Sequence, residues 1–303
     1  MVYLLLAIIC SASIALIFKY TETRKTNRYV ITSANYFIAF TTSIVMIVRK
    51  GLMTDFSLDV NFLSEFSAVL NSDNALLSPA SSILWALMIG SVAGIFFFLS
   101  FIYYQKSVRE NGVGLSGTIA KLGILIPMIF SIIIWQELPT MIQWIGIVLA
   151  LISILIVNLS PESLERFDLK PTLLLLFVFG GIAEFSNKIY QKYALNDFKD
   201  VFLFAVFFIA FIISATYAYK KQGDVRKSDV FTGFLVGIPN LFSSYFLILA
   251  LDTLKTSVVF PIYSAGSIVL ITIGGFVLFN ETIKRKNKVA IALTIIALIL
   301  INL

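Results

Sequence analysis

Apolar residues run in long blocks along this chain, and charged residues gather in the short gaps between them. The blocks cover 3–18, 29–48, 84–104, 113–135, 139–159, 171–190, 201–219, 230–251, 258–279 and 288–303. A helix needs roughly 17–25 predominantly apolar residues to cross the hydrocarbon core of a bilayer, and most of the blocks have that length. None alternates with period two, which excludes a membrane β-barrel. The pattern predicts an all-α membrane protein with ten transmembrane helices.

The second half of the pattern repeats the first. Phe37-Ile38-Ala39-Phe40, Ser43 and Arg49-Lys50 recur 171 residues later as Phe208-Ile209-Ala210-Phe211, Ser214 and Lys220-Lys221. Gly90, Gly94-Ile95 and Ser100 recur at 143 as Gly233, Gly237-Ile238 and Ser243. Glu137, Ile147, Leu149, Ile152 and Asn158-Leu159 recur at 144 as Glu281, Ile291, Leu293, Ile296 and Asn302-Leu303. The fall in offset after Lys50 marks an insertion in the first copy, the 51–82 loop. Each copy holds five helices, 1–160 and 171–303, joined by a polar linker from Pro161 to Lys170. An odd number makes the second copy enter the membrane from the opposite side, so the repeats are expected to be inverted. Within the insert, Phe62, Phe66 and Val69-Leu70 fit the spacing of a short interfacial helix, read either as a cap over the outer mouth or as a tolerated surface insertion.

Composition narrows the class. The chain is 59% hydrophobic, against roughly 45–50% in soluble domains, with a mean hydropathy of +0.94. One cysteine and no histidine leave no intramolecular disulfide and no metal site, and no cofactor is expected. The N-terminal block lacks a basic leader region and reads as a retained helix. Basic residues concentrate in the odd-numbered loops (Arg24, Lys25, Arg28; Lys106, Arg109; Arg226, Lys227; Arg285, Lys286). The positive-inside rule makes those loops cytoplasmic, both termini outward and the 51–82 loop extracytoplasmic. The basic balance therefore reports a bilayer partner, in the plasma or inner membrane, rather than nucleic acid. A homodimer stays open.

With ten helices in two halves and a glutamate closing the fourth helix of each (Trp135-Gln136-Glu137-Leu138-Pro139 and Phe279-Asn280-Glu281-Thr282), the chain resembles the EamA-type drug/metabolite transporter superfamily. The resemblance implies a cavity lined by helices 1–4 and 6–9, helices 5 and 10 at the periphery, and transport of a small solute. The long loop after Lys50 departs from the compact family pattern.

Enzymatic readings fail on residue type. Gly114-Leu115-Ser116-Gly117 looks like an intramembrane serine-protease motif, but a serine nucleophile needs a general base and the chain has no histidine. No phosphate-binding Gly-x-x-x-x-Gly-Lys loop occurs. The chemistry expected is binding. Lys121 and Glu184 lie deep inside predicted spans, where a bare charge costs at least about 2.5–3.5 kcal/mol and normally faces a cavity with a partner. Lys121 reads as an anchor for a substrate carboxylate or phosphate, or as a snorkelling side chain. Glu184 reads as a carboxylate for a substrate amine or proton, or as the helix-internal partner of Lys188. Asn187, Asn240, Tyr245 and Tyr263 would orient the substrate; Ser11, Ser13, Asn35 and Ser267 read equally as ligands or as interhelical glue. Pro239-Asn240 is expected to interrupt helix 8. Glu137 and Glu281 read as caps for the first turn of the helix that follows each. The expectation is a secondary transporter of a small polar or amphipathic metabolite, working by alternating access and proton-coupled through Glu184. The alternative is a membrane receptor or assembly subunit that keeps the transporter fold.

Overall fold

The computed structural model describes residues 1–21, 26–52, 61–72, 75–111, 113–158, 170–220, 225–280, 282 and 285–301. Glu281, Asn302-Leu303, the linker before Lys170 and parts of the 51–82 insert lie outside the described residues. All described elements are helical. In order they are α1 (Val2–Thr21), α2 (Arg28–Lys50), α3 (Phe62–Leu70), α4 (Pro79–Asn111), α5 (Val113–Leu122), α6 (Leu125–Trp135), α7 (Met141–Asn158) and α8 (Pro171–Tyr193). A 3-10 turn at Asn196–Phe198 leads to α9 (Lys199–Lys220), α10 (Lys227–Thr253), α11 (Thr256–Phe279) and α12 (Arg285–Ile301). Eight segments are long and apolar enough to cross a membrane. The last block of each half forms a shorter helix, α7 with 18 residues and α12 with 17.

Two local expectations are corrected. The 113–135 block is broken into α5 and α6. Pro127 has no N–H to offer the Gly123 carbonyl, which accepts instead from Ile126 three residues on, at 3.0 Å. Helix 8, by contrast, is not interrupted: α10 runs through Pro239 without a break. Membrane helices tolerate an internal proline because neighbouring groups re-satisfy the one carbonyl it frees.

The chain packs into two compact units, Ile17–Phe98 with Ser186–Asp252, and Met1–Leu16 with Leu99–Phe185 and Thr253–Leu303. In the first, α9 packs along α2, and the repeated Phe-Ile-Ala-Phe motif meets its own copy. Phe37 stands 5.6 Å from Phe211 and Phe40 stands 5.5 Å from Phe208, measured between ring centroids. Phe40 also touches its equivalent, Phe211, at 5.2 Å, as Tyr36 touches its equivalent, Phe207, at 6.1 Å. Such reciprocal pairing is what a two-fold relation between like surfaces produces.

The glycines repeat the relation. A Cβ on Gly90 would lie 2.7 Å from that of Ala205 on α9, and one on Gly233 would lie 2.5 Å from that of Ala34 on α2. Ala34 and Ala205 are 171 residues apart, like the aromatic pairs. Gly94 abuts Val206 and Ile209 of α9; Gly237 abuts Asn35 and Ile38 of α2, again at the same offset. α4 therefore approaches α9 as α10 approaches α2, with no room for a side chain at either crossing.

The same unit carries the insert helix α3. Its Phe66 ring lies 4.8 Å from Trp85 and 5.8 Å from Tyr193, and Val69 is buried. Glu65 accepts hydrogen bonds from the Ser78 amide and hydroxyl and from the Ser81 hydroxyl. Ser78 precedes Pro79, the first residue of α4, so the carboxylate sits at a helix N-terminus where the dipole favours it. Burial pushes the Glu65 carboxyl up, but the Ser81 and Ser78 donors outweigh it and hold the group below the usual carboxylate range.

In the second unit, α7 and α12 lie side by side. A Cβ on Gly146 would meet Ile301 at 2.6 Å, and the Ser153 hydroxyl pairs with Thr294 at 2.7 Å. Their outward faces expose Ile145, Val148, Ile295 and Ile299. α6 and α11 end alike: Gln136 and Asn280, 144 residues apart, adopt left-handed φ values of 53° and 52°. Their amides close on Ser131 and Gly275, again 144 apart. Glu137 caps a helix, but not the following one. Its carboxylate accepts the Thr256 amide at 2.6 Å, at the start of α11, and its carbonyl accepts the Ser257 hydroxyl at 3.1 Å. The reason is local: Pro139 and Thr140 leave α7 to start at Met141, where the Thr140 and Gln143 side chains already serve the first turn.

Candidate functional site

The break between α5 and α6 builds one polar site. Gly123 fits against Gly181 of α8 at backbone distance, which brings these segments into contact. Lys121, two residues before the break, places its ammonium 6.0 Å from the Tyr263 ring centroid on α11, a cation–π arrangement. Glu184 on α8 acts electrostatically on the same ammonium. The Ser264 hydroxyl donates to the Lys121 carbonyl at 3.5 Å. Three of the six expected site residues, Lys121, Glu184 and Tyr263, thus meet in one unit.

The other three belong to the other unit. Asn240 donates to the Asn35 side chain at 3.1 Å, an interhelical bond joining α10 to α2. Asn187 is fully buried. Tyr245 lies beneath two lysines, with Lys199 4.9 Å and Lys50 5.6 Å from its ring centroid. Lys50 also pairs with the fully buried Asp200 at 2.5 Å. Of the serines, Ser13 and Ser267 donate to carbonyls four residues back in their own helices, at 2.8 and 2.6 Å, which spends them locally.

The sequence reading takes Lys50 and Lys199 as loop charges and gives Asp200 no role, so it misses this cluster. One feature could have revealed them. Lys199 opens an apolar helix, where a cation opposes the helix dipole and calls for compensation.

The spans make this a multi-pass protein of the cell membrane. Residues 198–295 match the family model described as Small Multidrug Resistance protein, which together with the apolar helices indicates a membrane transporter. The chain is 25% identical over 301 residues to a Haemophilus influenzae protein described as uncharacterized, covering 97% of this chain and 95% of that one. Among solved structures, one described only as the crystal structure of a protein has the same fold: TM-score 0.69, 15% identity, covering 99% of this chain and 94% of that one.

Proposed function

We propose that the chain is a secondary transporter of the EamA drug/metabolite type, built from two inverted five-helix repeats and moving a small polar or amphipathic metabolite by alternating access. The observation that carries this reading is the doubled packing at one offset: Gly90 and Gly94 on α9, and Gly233 and Gly237 on α2. Two halves that make the same contacts with exchanged roles are what two mirror-related conformations require. The Small Multidrug Resistance match over 198–295 supports the same class.

Lys121 anchors the anionic group of the substrate, with Tyr263 shaping the site and Glu184 as the group that binds an amine or carries a proton. Uptake into proteoliposomes, screened against amino acids, sugars, nucleotides and quaternary amines at several pH values, tests the reading. Glu184→Gln should transport without pH dependence, and Lys121→Met should lose substrate-dependent thermal stabilisation. Unchanged pH-dependent uptake by Glu184→Gln would retire proton coupling through that residue, and no uptake of any solute would retire transport.

A further inference from the structure

A second cluster of charges lies apart in sequence and chemistry from Lys121, at the end of α2 and the start of α9. Lys199 is only 6% exposed, yet its ammonium makes a single hydrogen bond among the described residues, to the Asn196 carbonyl at 2.9 Å. Two of its three donors are unspent in a site with little access to water, which is costly unless something accepts them. Lys50 is close enough to repel Lys199. Both ammonium groups lie over the same Tyr245 ring.

The charge balance there is positive. Asp200 is the fully buried carboxylate facing the two lysines, and it uses Oδ2 on Lys50, while Oδ1 has no hydrogen-bond partner. Asp197 and Asp252 also act on Lys199, but both are exposed, where water and salt screen them. Lys50 itself is 38% exposed; the second buried lysine, Lys188, is tied to Gln191 at 3.0 Å, and Gln191 in turn donates to Asp252 at 3.3 Å. The N-terminus of α9 adds its own partial positive charge. Buried cations thus outnumber the buried carboxylate, and the unspent hydrogen-bonding groups on the cations are donors.

We propose that Lys199 and Lys50, over the face of Tyr245, form a binding site for an anionic oxo group, a carboxylate or a phosphate. The anion takes the two remaining Lys199 donors and competes with Asp200 for Lys50. Asp200 is then an internal competitor as well as a partner, and removing its charge should strengthen anion binding. A purely structural ion pair has no such property.

The test is a thermal-shift titration of the purified full chain with inorganic phosphate and with acetate, at constant ionic strength set by chloride. A ligand of the folded state raises the melting temperature by mass action. Wild type should be stabilised by both anions. Lys199→Gln should lose the response, and Asp200→Asn should reach half-maximal response at roughly tenfold lower anion concentration, the size expected when one charge-assisted donor is released. Lys227→Gln, at an exposed lysine that belongs to neither charge cluster, should respond like wild type. No response in wild type, an unchanged response in Lys199→Gln, or a weaker one in Asp200→Asn would overturn the proposal, and the Asp200→Asn arm stands even where Lys199→Gln fails to fold. Repeating the phosphate titration in phosphatidylglycerol and phosphatidylcholine nanodiscs distinguishes the source. Loss of the response only in phosphatidylglycerol assigns the site to a lipid phosphate, and its persistence in both assigns it to a free solute.

Discussion

The ring of Phe37 lies 5.6 Å from that of Phe211, and each belongs to a different copy of the same four-residue motif. The contact is reciprocated by Phe40 and Phe208, so a pair on one side of α2 and α9 has its counterpart on the other. A double-mutant cycle with Phe37→Leu and Phe211→Leu should return a coupling of about 0.5–1.5 kcal/mol. The Phe40/Phe208 cycle should give a similar value. Reversible unfolding in mixed detergent micelles measures both, and a coupling near zero in either would show that the rings merely share a neighbourhood.

Glu65 ties the insert helix to the start of α4. Because its carboxyl is held below the ordinary value, its contribution is complete above the unfolded-state value of about 4.3 and is lost only as pH falls through the lower folded value. α3 should therefore stay docked from neutral pH down to about pH 5 and loosen in the more acidic range. Trp85 emission, taken as the difference from a Trp85→Phe variant, reports the docking because Phe66 packs on that indole. In Glu65→Gln the emission should already be shifted at neutral pH and change little on acidification.

Lys50 and Asp200 should behave as a unit. Lys50→Met leaves the fully buried Asp200 without its hydrogen-bonded cation; because Lys50 is 38% exposed and Lys199 stays nearby, the expected loss is about 1–3 kcal/mol, that of a buried acceptor left unsatisfied. The double variant Lys50→Met/Asp200→Asn should recover most of it. Thermal unfolding of the three variants against wild type checks this, and a double variant as unstable as Lys50→Met would contradict it.

Glu137 holds the first amide of α11. Glu137→Ala should cost about 0.5–2 kcal/mol, as for loss of a helix cap. Hydrogen exchange should speed at Thr256 and Ser257 and leave the first turn of α7 unchanged. Faster exchange confined to α7 would restore the expectation drawn from sequence.

The helical class and the repeated motifs were legible because they rest on long apolar blocks and residue identity, which local reading captures; the expected count of ten spans was not reached, since eight segments among the described residues are long and apolar enough. Even the Gln136/Asn280 turns follow from the repeat, although the two residues differ. What escaped was which helix each polar group serves. Glu137 could be placed at a helix terminus but not assigned to α11, since Thr256 is remote in sequence. Asn240 read as a substrate contact because nothing local announces Asn35 as its partner. Lys50 and Lys199 looked like ordinary loop charges, since neither the burial of Lys199 nor the pairing of Lys50 with the distant Asp200 is visible locally. Pro239 read as a breaker, yet α10 runs through it, while the break between α5 and α6 falls just ahead of Pro127, to which the sequence reading gave no weight.

The glycine crossings supply a built-in control. Gly94→Ala and Gly237→Ala insert the same methyl group at two equivalent crossings, each forcing a helix away from its neighbour at an expected cost of about 1–3 kcal/mol. The two variants place the same wedge at matching crossings, α4 against α9 and α10 against α2, with the roles of the two halves exchanged and Val206 facing one methyl where Asn35 faces the other. Any difference between them in ligand affinity or accessibility to labelling from either side of the membrane then measures how unequal the two halves have become.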